Sequence, residues 1–171
     1  MIRVRIDTAC GAVVVAVDDA AAPLSSAAFL SYVDQGLLAG TTIYRIVTAQ
    51  NQPEGTTHPI EVIQWGRTFD EISPLAPIAH EGTDQTGLSH RRGTLSMARR
   101  AIGTAGHAYV FCMGGDLASL DEHGGRNPDG HGFAAFGEVI GGWDVLAAIF
   151  ARAETIERIA HRIAILSAAR I

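Results

Sequence analysis

A mainly β protein is what this sequence predicts: about eight short, mostly antiparallel strands closed into a barrel, with one helix early and one late. Three observations carry that expectation. Short apolar runs of strand length recur along the chain, each bounded by turn residues. The 19 glycines among 171 residues supply many turns. Helical spacing of apolar residues occurs only twice, and closure into a barrel is how so many short strands avoid exposed edges.

In the first strand, Ile2, Val4 and Ile6 alternate with Arg3, Arg5 and Asp7, the period of two expected of a half-buried strand. A turn at Thr8 to Gly11 leads into a second strand over 12–17, completing a hairpin. Pro23 marks a helix start, with Ser25 and Ser26 as candidate caps. Phe29, Leu30 and Val33 follow at helical spacing, and Gly36 is the stop. The third strand, Ile43-Tyr44-Arg45-Ile46-Val47, has an arginine at its centre. Arginine is costly to bury, so Arg45 is either an exposed residue paired with a carboxylate or a charge aimed at a ligand.

The stretch TAQNQPEGTTHP reads as a polar loop, 60–65 as a fourth strand, and 67–92 as a long irregular excursion. Strands over 94–97 and 109–113 come next, then the glycine-rich loop EHGGRNPDGHG and a strand over 133–140. Gly142 and Trp143 open the second helix, which runs to about Phe150 with Asp144 in its first turn. A last strand over 163–166 closes the chain.

Composition narrows the function. The length suits one domain spanning 1–171 with a substantial core, and the chain is 47% hydrophobic and 18% charged. A net charge of −5 argues against a general nucleic-acid binder. Cys10 and Cys112 do not make a disulfide framework and read as free thiols of a reducing compartment. The charged, strand-like start is not a signal peptide, and no apolar run is long enough for a membrane span. A soluble, cytoplasmic protein is expected. None of the seven histidines has zinc-site spacing, so neither a metal nor a cofactor is expected. GGRNPDGHG lacks the ending of a phosphate loop, and Ser96 lacks the GxSxG setting of a nucleophile. What remains is Arg45, Gln64 and the stretch RRGTLSMAR.

In that context the order of elements resembles a cyclophilin, a peptidyl-prolyl cis/trans isomerase, over nearly the full length. APLSSAAFLSYVDQGLLAGTTIYRIV is similar to the family's first helix and its Phe-His-Arg-Val strand, and VIQWG to its Met-Ile-Gln-Gly-Gly strand. RGTLSMAR is the most specific match, and GFAAFGEVIGGWDVL resembles the closing strand and second helix. The resemblance implies an eight-stranded antiparallel barrel capped by two helices, with a proline-binding groove on its outer surface.

It further implies that Arg45 is the catalytic arginine and that Gln64 hydrogen-bonds the substrate backbone and orients Arg45. Val62 stands for the groove methionine, Phe133 for the pocket histidine, and Trp65 for a glycine, where it would crowd the site. GTAGHAYVFCMGG fits in two registers. Without a gap, Ala108 and Val110 face the groove while Tyr109 and Phe111 enter the core; a slip of one residue reverses the faces and puts Tyr109 and Phe111 in the groove. The ungapped register is preferred because it leaves the extra residue at Gly114-Gly115, where an insertion costs least. The tryptophan that contacts cyclosporin falls near Ala118 or Ser119, so weak cyclosporin binding is expected.

The expected substrates are proline-containing peptides or unfolded proteins, with the chain a monomer that uses neither membrane nor nucleic acid. Two other readings stand beside isomerisation: a proline-peptide-binding module of little or no activity, and a barrel holding a small molecule inside.

Overall fold

A computed structural model describes residues 1–171. Eight strands form a closed, wholly antiparallel barrel in the order β1-β2-β7-β5-β6-β4-β3-β8, with β8 pairing back onto β1. The strands are β1 (Ile2–Thr8), β2 (Gly11–Val17), β3 (Thr42–Val47), β4 (Ile60–Gly66), β5 (Thr94–Met97), β6 (Ala108–Gly115), β7 (Ala134–Gly141) and β8 (Arg158–Arg170). The two expected helices are α1 (Pro23–Asp34) and α3 (Trp143–Phe150). Two short helical turns, α2 (Thr83–Thr86) and a 3-10 turn (Leu117–Leu120), fall in stretches that lack helical periodicity. No helix is long and apolar enough to cross a membrane.

Alternation sorts the side chains of each strand between the interior and the outer face. Val4, Ile6, Val13, Val15, Ile43, Ile63, Leu95, Phe136 and Ile163 fill the interior, where Phe29 of α1 joins them. An aromatic group forms its centre: Trp65 stacks on Phe111 at 5.2 Å and lies 4.9 Å from Tyr109, and Tyr109 meets Phe29 at 5.1 Å. Side chains therefore occupy the space that an interior ligand would need. A second, smaller apolar cluster of Val47, Ile60, Val62, Cys112, Leu117 and Leu120 lies apart from the first, with Val110 and Phe133 packed against it. Both cysteines are free, and burial pushes the Cys112 thiol up.

Strand β8 is much longer than 163–166. Of its 13 residues only Ile159, Ile163 and Ile165 are buried, so its apolar signal is sparse, while pairing with β1 and β3 extends it in both directions.

The cap of α1 also differs from expectation. Ser25 and Ser26 lie within the first turn, and their buried hydroxyls find no partner. Glu81, 1% exposed and delivered by the long excursion, accepts the Leu24 N–H at 3.0 Å and the Ser25 N–H at 2.8 Å. A carboxylate there satisfies two orphan donors and suits the positive end of the helix. Glu81→Ala is expected to lower stability by about 2–3 kcal/mol because two N–H groups lose their charged acceptor. Urea unfolding would read the loss, and Glu81→Gln should lose less.

Candidate functional site

The site begins with a break in the alternation of β3. Ile43 pairs with Trp65 and Arg45 pairs with Gln64, so Tyr44 has no opposite number on β4; the register shifts at the same place against β8. Such a bulge turns two consecutive residues towards one face. Ile43 and Ile46 both enter the interior, while Tyr44 and Arg45 lie outside it. The bulge is what lets a strand with an otherwise apolar inner row present an arginine on its outer face.

Arg45 is held on two sides. Its Nε and Nη2 donate to Glu157 Oε2 at 2.8 and 2.6 Å, and its Nη1 donates to Gln64 Oε1 at 2.8 Å. Gln64, 3% exposed, passes the chain on by donating from Nε2 to the Tyr44 hydroxyl at 2.9 Å. That hydroxyl in turn donates to the Arg67 carbonyl at 3.4 Å. The polarity of this chain is forced, because guanidinium can only donate and a carbonyl can only accept. The Gln64 amide must therefore turn its oxygen to Arg45. Burial pushes the Tyr44 phenol up to about 12, against the opposing pull of its hydrogen bond to Gln64.

A guanidinium has five N–H donors, of which three are used here. One N–H on each terminal nitrogen of Arg45 has no protein acceptor. Arg45 thus has a carboxylate partner, and it also faces a pocket with donors to spare. The two alternatives posed by the sequence coexist.

The pocket beside it holds about 120 Å³. Val62 and Gln64 of β4, Val110 of β6, Ser96 of β5, and Ala98 line it, with Leu120 from the 3-10 turn and Phe133 just before β7. Ile60, Phe69, Arg99 and Arg126 complete the wall. Phe133 is fixed by Arg99, whose guanidinium lies 5.4 Å from the ring centroid and pairs with Asp129 through two bonds of 2.6 and 3.0 Å. The Arg99 guanidinium holds the Asp129 carboxyl well below its ordinary range.

Arg45, Gln64, Val62, Val110 and Phe133 are thus brought together. Tyr109 and Phe111 are not: both point into the aromatic core, as the ungapped register requires. Ala108 is buried but does not line the pocket. The extra residue of this strand is absorbed as a bulge at Met113, since Glu61 pairs with Gly114 and Val62 with Cys112. Gly115, at φ +78°, then turns the chain where any side chain would meet the Pro59 carbonyl at 2.6 Å. Trp65 does not crowd the pocket. It sits next to Gln64 on β4 and therefore points to the opposite face, into the core.

Several residues around the site carry no sequence signal. Glu157 lies 112 positions from Arg45. Phe69 and Arg126 come from irregular segments. Beneath the pocket, Ser96 Oγ lies 2.8 Å from His90 Nε2, and His90 Nδ1 lies 2.6 Å from Asp121 Oδ1. Serine, histidine and aspartate in this order look like a hydrolytic triad, but the His90 side chain is sealed from solvent and the Ser96 hydroxyl bonds the Ala134 carbonyl at 3.1 Å. The array ties β5 to β7 and to the turn that carries Leu120.

The model of the family described as cyclophilin type peptidyl-prolyl cis-trans isomerase/CLD matches residues 2–170. This chain belongs to the cyclophilin-type isomerases. A cyclophilin-type relative, the peptidyl-prolyl cis-trans isomerase cyp18 of Streptomyces antibioticus, is 33% identical over 149 residues, covering 87% of this chain and 83% of its own length. The peptidyl-prolyl cis-trans isomerase A of Dickeya dadantii is 32% identical over 146 residues, covering 84% of this chain and 68% of its own. Among solved cyclophilins, a Cryptosporidium parvum cyclophilin type peptidyl-prolyl cis-trans isomerase superposes with a TM-score of 0.75 at 19% identity, covering 99% of this chain and 97% of that one. The same protein crystallised in the presence of the dipeptide Ala-Pro gives a TM-score of 0.72.

Proposed function

We propose that this cyclophilin accelerates rotation about Xaa-Pro bonds in peptides and folding proteins, with Arg45 as the catalytic group and Gln64 orienting it. One observation carries the assignment of roles: a rigidly held guanidinium with unspent donors at the rim of an apolar pocket. An Xaa-Pro bond is planar through conjugation and crosses a barrier of roughly 20 kcal/mol. At the twisted midpoint the proline nitrogen regains its lone pair. A hydrogen bond from an Arg45 N–H to that nitrogen is stronger in the twisted state than in either planar state, which is the condition for catalysis. Val62, Val110 and Phe133 grip the proline ring while the flanking backbone turns. Glu157 and Gln64 prevent the guanidinium from following the substrate, so the donor need not reorganise during rotation. No proton transfer, metal or covalent intermediate enters this scheme.

Ala-Pro, the dipeptide present when the Cryptosporidium protein was crystallised, is the kind of ligand this pocket suits. Neither Ala118 nor Ser119 supplies an indole, which supports weak cyclosporin binding. A single domain acting as a cytoplasmic monomer completes the reading. The test is an NMR exchange or protease-coupled assay on a panel of Xaa-Pro peptides. Acceleration over the uncatalysed rate is expected; its absence at high protein concentration across the panel would leave a groove that only binds.

A further inference from the structure

Three arginines line the pocket, and they are not equivalent. Arg45 is paired with Glu157 and Arg99 with Asp129. Arg126 has no carboxylate partner. Its side chain makes one bond, from Nη1 to the His58 carbonyl. Its Nε and Nη2 make no bond and are not sealed inside the protein, because neither is among the buried polar atoms that lack a partner. Both therefore reach solvent, and Arg126 lines the groove.

This cation is poorly placed for the protein alone. Half-burial and the neighbouring Arg45 charge both depress its pKa, and the one acid that acts on it, Glu157, is already committed to Arg45. A partly desolvated, uncompensated charge beside a second charge of the same sign is costly, and an incoming anion relieves that cost. The segment that carries Arg126 is held in place, since the Arg126 N–H donates to the Ser119 carbonyl at 3.1 Å and Gly125 lies against the His58 ring. His58 in turn is anchored by Asp116 at 2.8 Å. The guanidinium is therefore presented by a braced loop.

Resting on the isomerase reading of the same pocket, we infer that Arg126 makes this groove selective for proline segments with an acidic side chain on a residue flanking the proline. The anion meets the open donors of Arg126 while the proline ring occupies the wall formed by Val62, Val110 and Phe133. The selectivity is electrostatic, so it weakens as salt screens the half-exposed charge.

The experiment compares short peptides that differ only in Glu against Gln on either side of a single proline. Both kcat/KM by exchange NMR and Kd by titration are measured at 20 mM and 500 mM NaCl. Wild type is expected to prefer glutamate at one of the two positions by roughly five- to ten-fold at low salt, the range of a partly buried, charge-assisted hydrogen bond. The ratio should shrink at high salt and fall to about one in Arg126→Gln, with Arg126→Lys in between. Equal values for Glu and Gln peptides at both positions would overturn the inference, as would a glutamate preference that survives in Arg126→Gln. If Arg126→Gln folds poorly, Arg126→Ala serves in its place, and equal wild-type values for Glu and Gln peptides overturn the inference without any variant. The two readings fail separately: an absence of any acceleration removes the isomerase assignment, whereas the Kd ratio alone still supports or overturns acidic selectivity.

Discussion

Arg45→Ala is expected to lower kcat/KM for Xaa-Pro isomerisation by about 10²- to 10³-fold, the usual effect of removing one transition-state donor. The loss should fall on kcat more than on KM, because the pocket walls that grip the proline ring are untouched. Arg45→Lys tests the geometry. Lysine keeps the charge but cannot bond Glu157 and Gln64 through a planar fork while keeping further donors free. It should recover little of the rate. Stability should fall by about 1–3 kcal/mol, since the buried Gln64 oxygen loses its donor while Glu157, 24% exposed, regains part of its hydration. Line-shape or exchange NMR on a single peptide reads the rate, and urea unfolding reads the stability. A variant that keeps most of the wild-type rate would remove Arg45 from the chemistry.

Trp65→Ala is expected to cost about 3–5 kcal/mol of stability, the range for deleting a fully buried aromatic side chain. Trp65 is 0% exposed and touches Phe111, Tyr109 and Phe29, so truncation leaves a cavity walled by rings that collapse poorly. Trp65→Phe should cost far less. The indole Nε1 is buried without an acceptor, and losing that unpaired N–H offsets part of the lost contact area. Guanidinium unfolding of the three proteins would establish the order. The folded Phe variant should keep the wild-type isomerisation rate, because residue 65 faces away from the pocket. A rate increase on shrinking this side chain would instead mean that Trp65 crowds the groove.

The contrast between Arg45 and Trp65 shows where local pattern stops being informative. Apolar alternation in β1 marks both the strand and the face it buries, and short apolar runs mark β2 and β4 as strands. The match of IYRIV, VIQWG and RGTLSMAR in order was enough to find the barrel. Neighbouring positions on one strand point to opposite sides, so the pocket role of Gln64 already implies that Trp65 is inside. The register of β6 was narrowed by the same alternation but resolved only by its pairing, with Val110 opposite Gln64 and Phe111 opposite Ile63. The span of β8 exceeds what its apolar pattern marks, because a strand that buries three residues in thirteen is defined by its neighbours' hydrogen bonds, which a periodicity cannot register.

What the amino-acid order determined is therefore the eight strands and the two main helices, their sequence along the chain, and the arginine and glutamine on adjacent strands. These depend on side chains a few positions apart, where sterics and burial impose short periods. The tertiary structure alone decided how Arg45 is aimed and held. A bulge at Tyr44 turns it outward, Glu157 pairs with it from the far end of the chain, and Arg126 arrives unpaired on a loop. Each of these contacts is set by strand register and chain closure, and residues over a hundred positions apart become partners only once the barrel has closed.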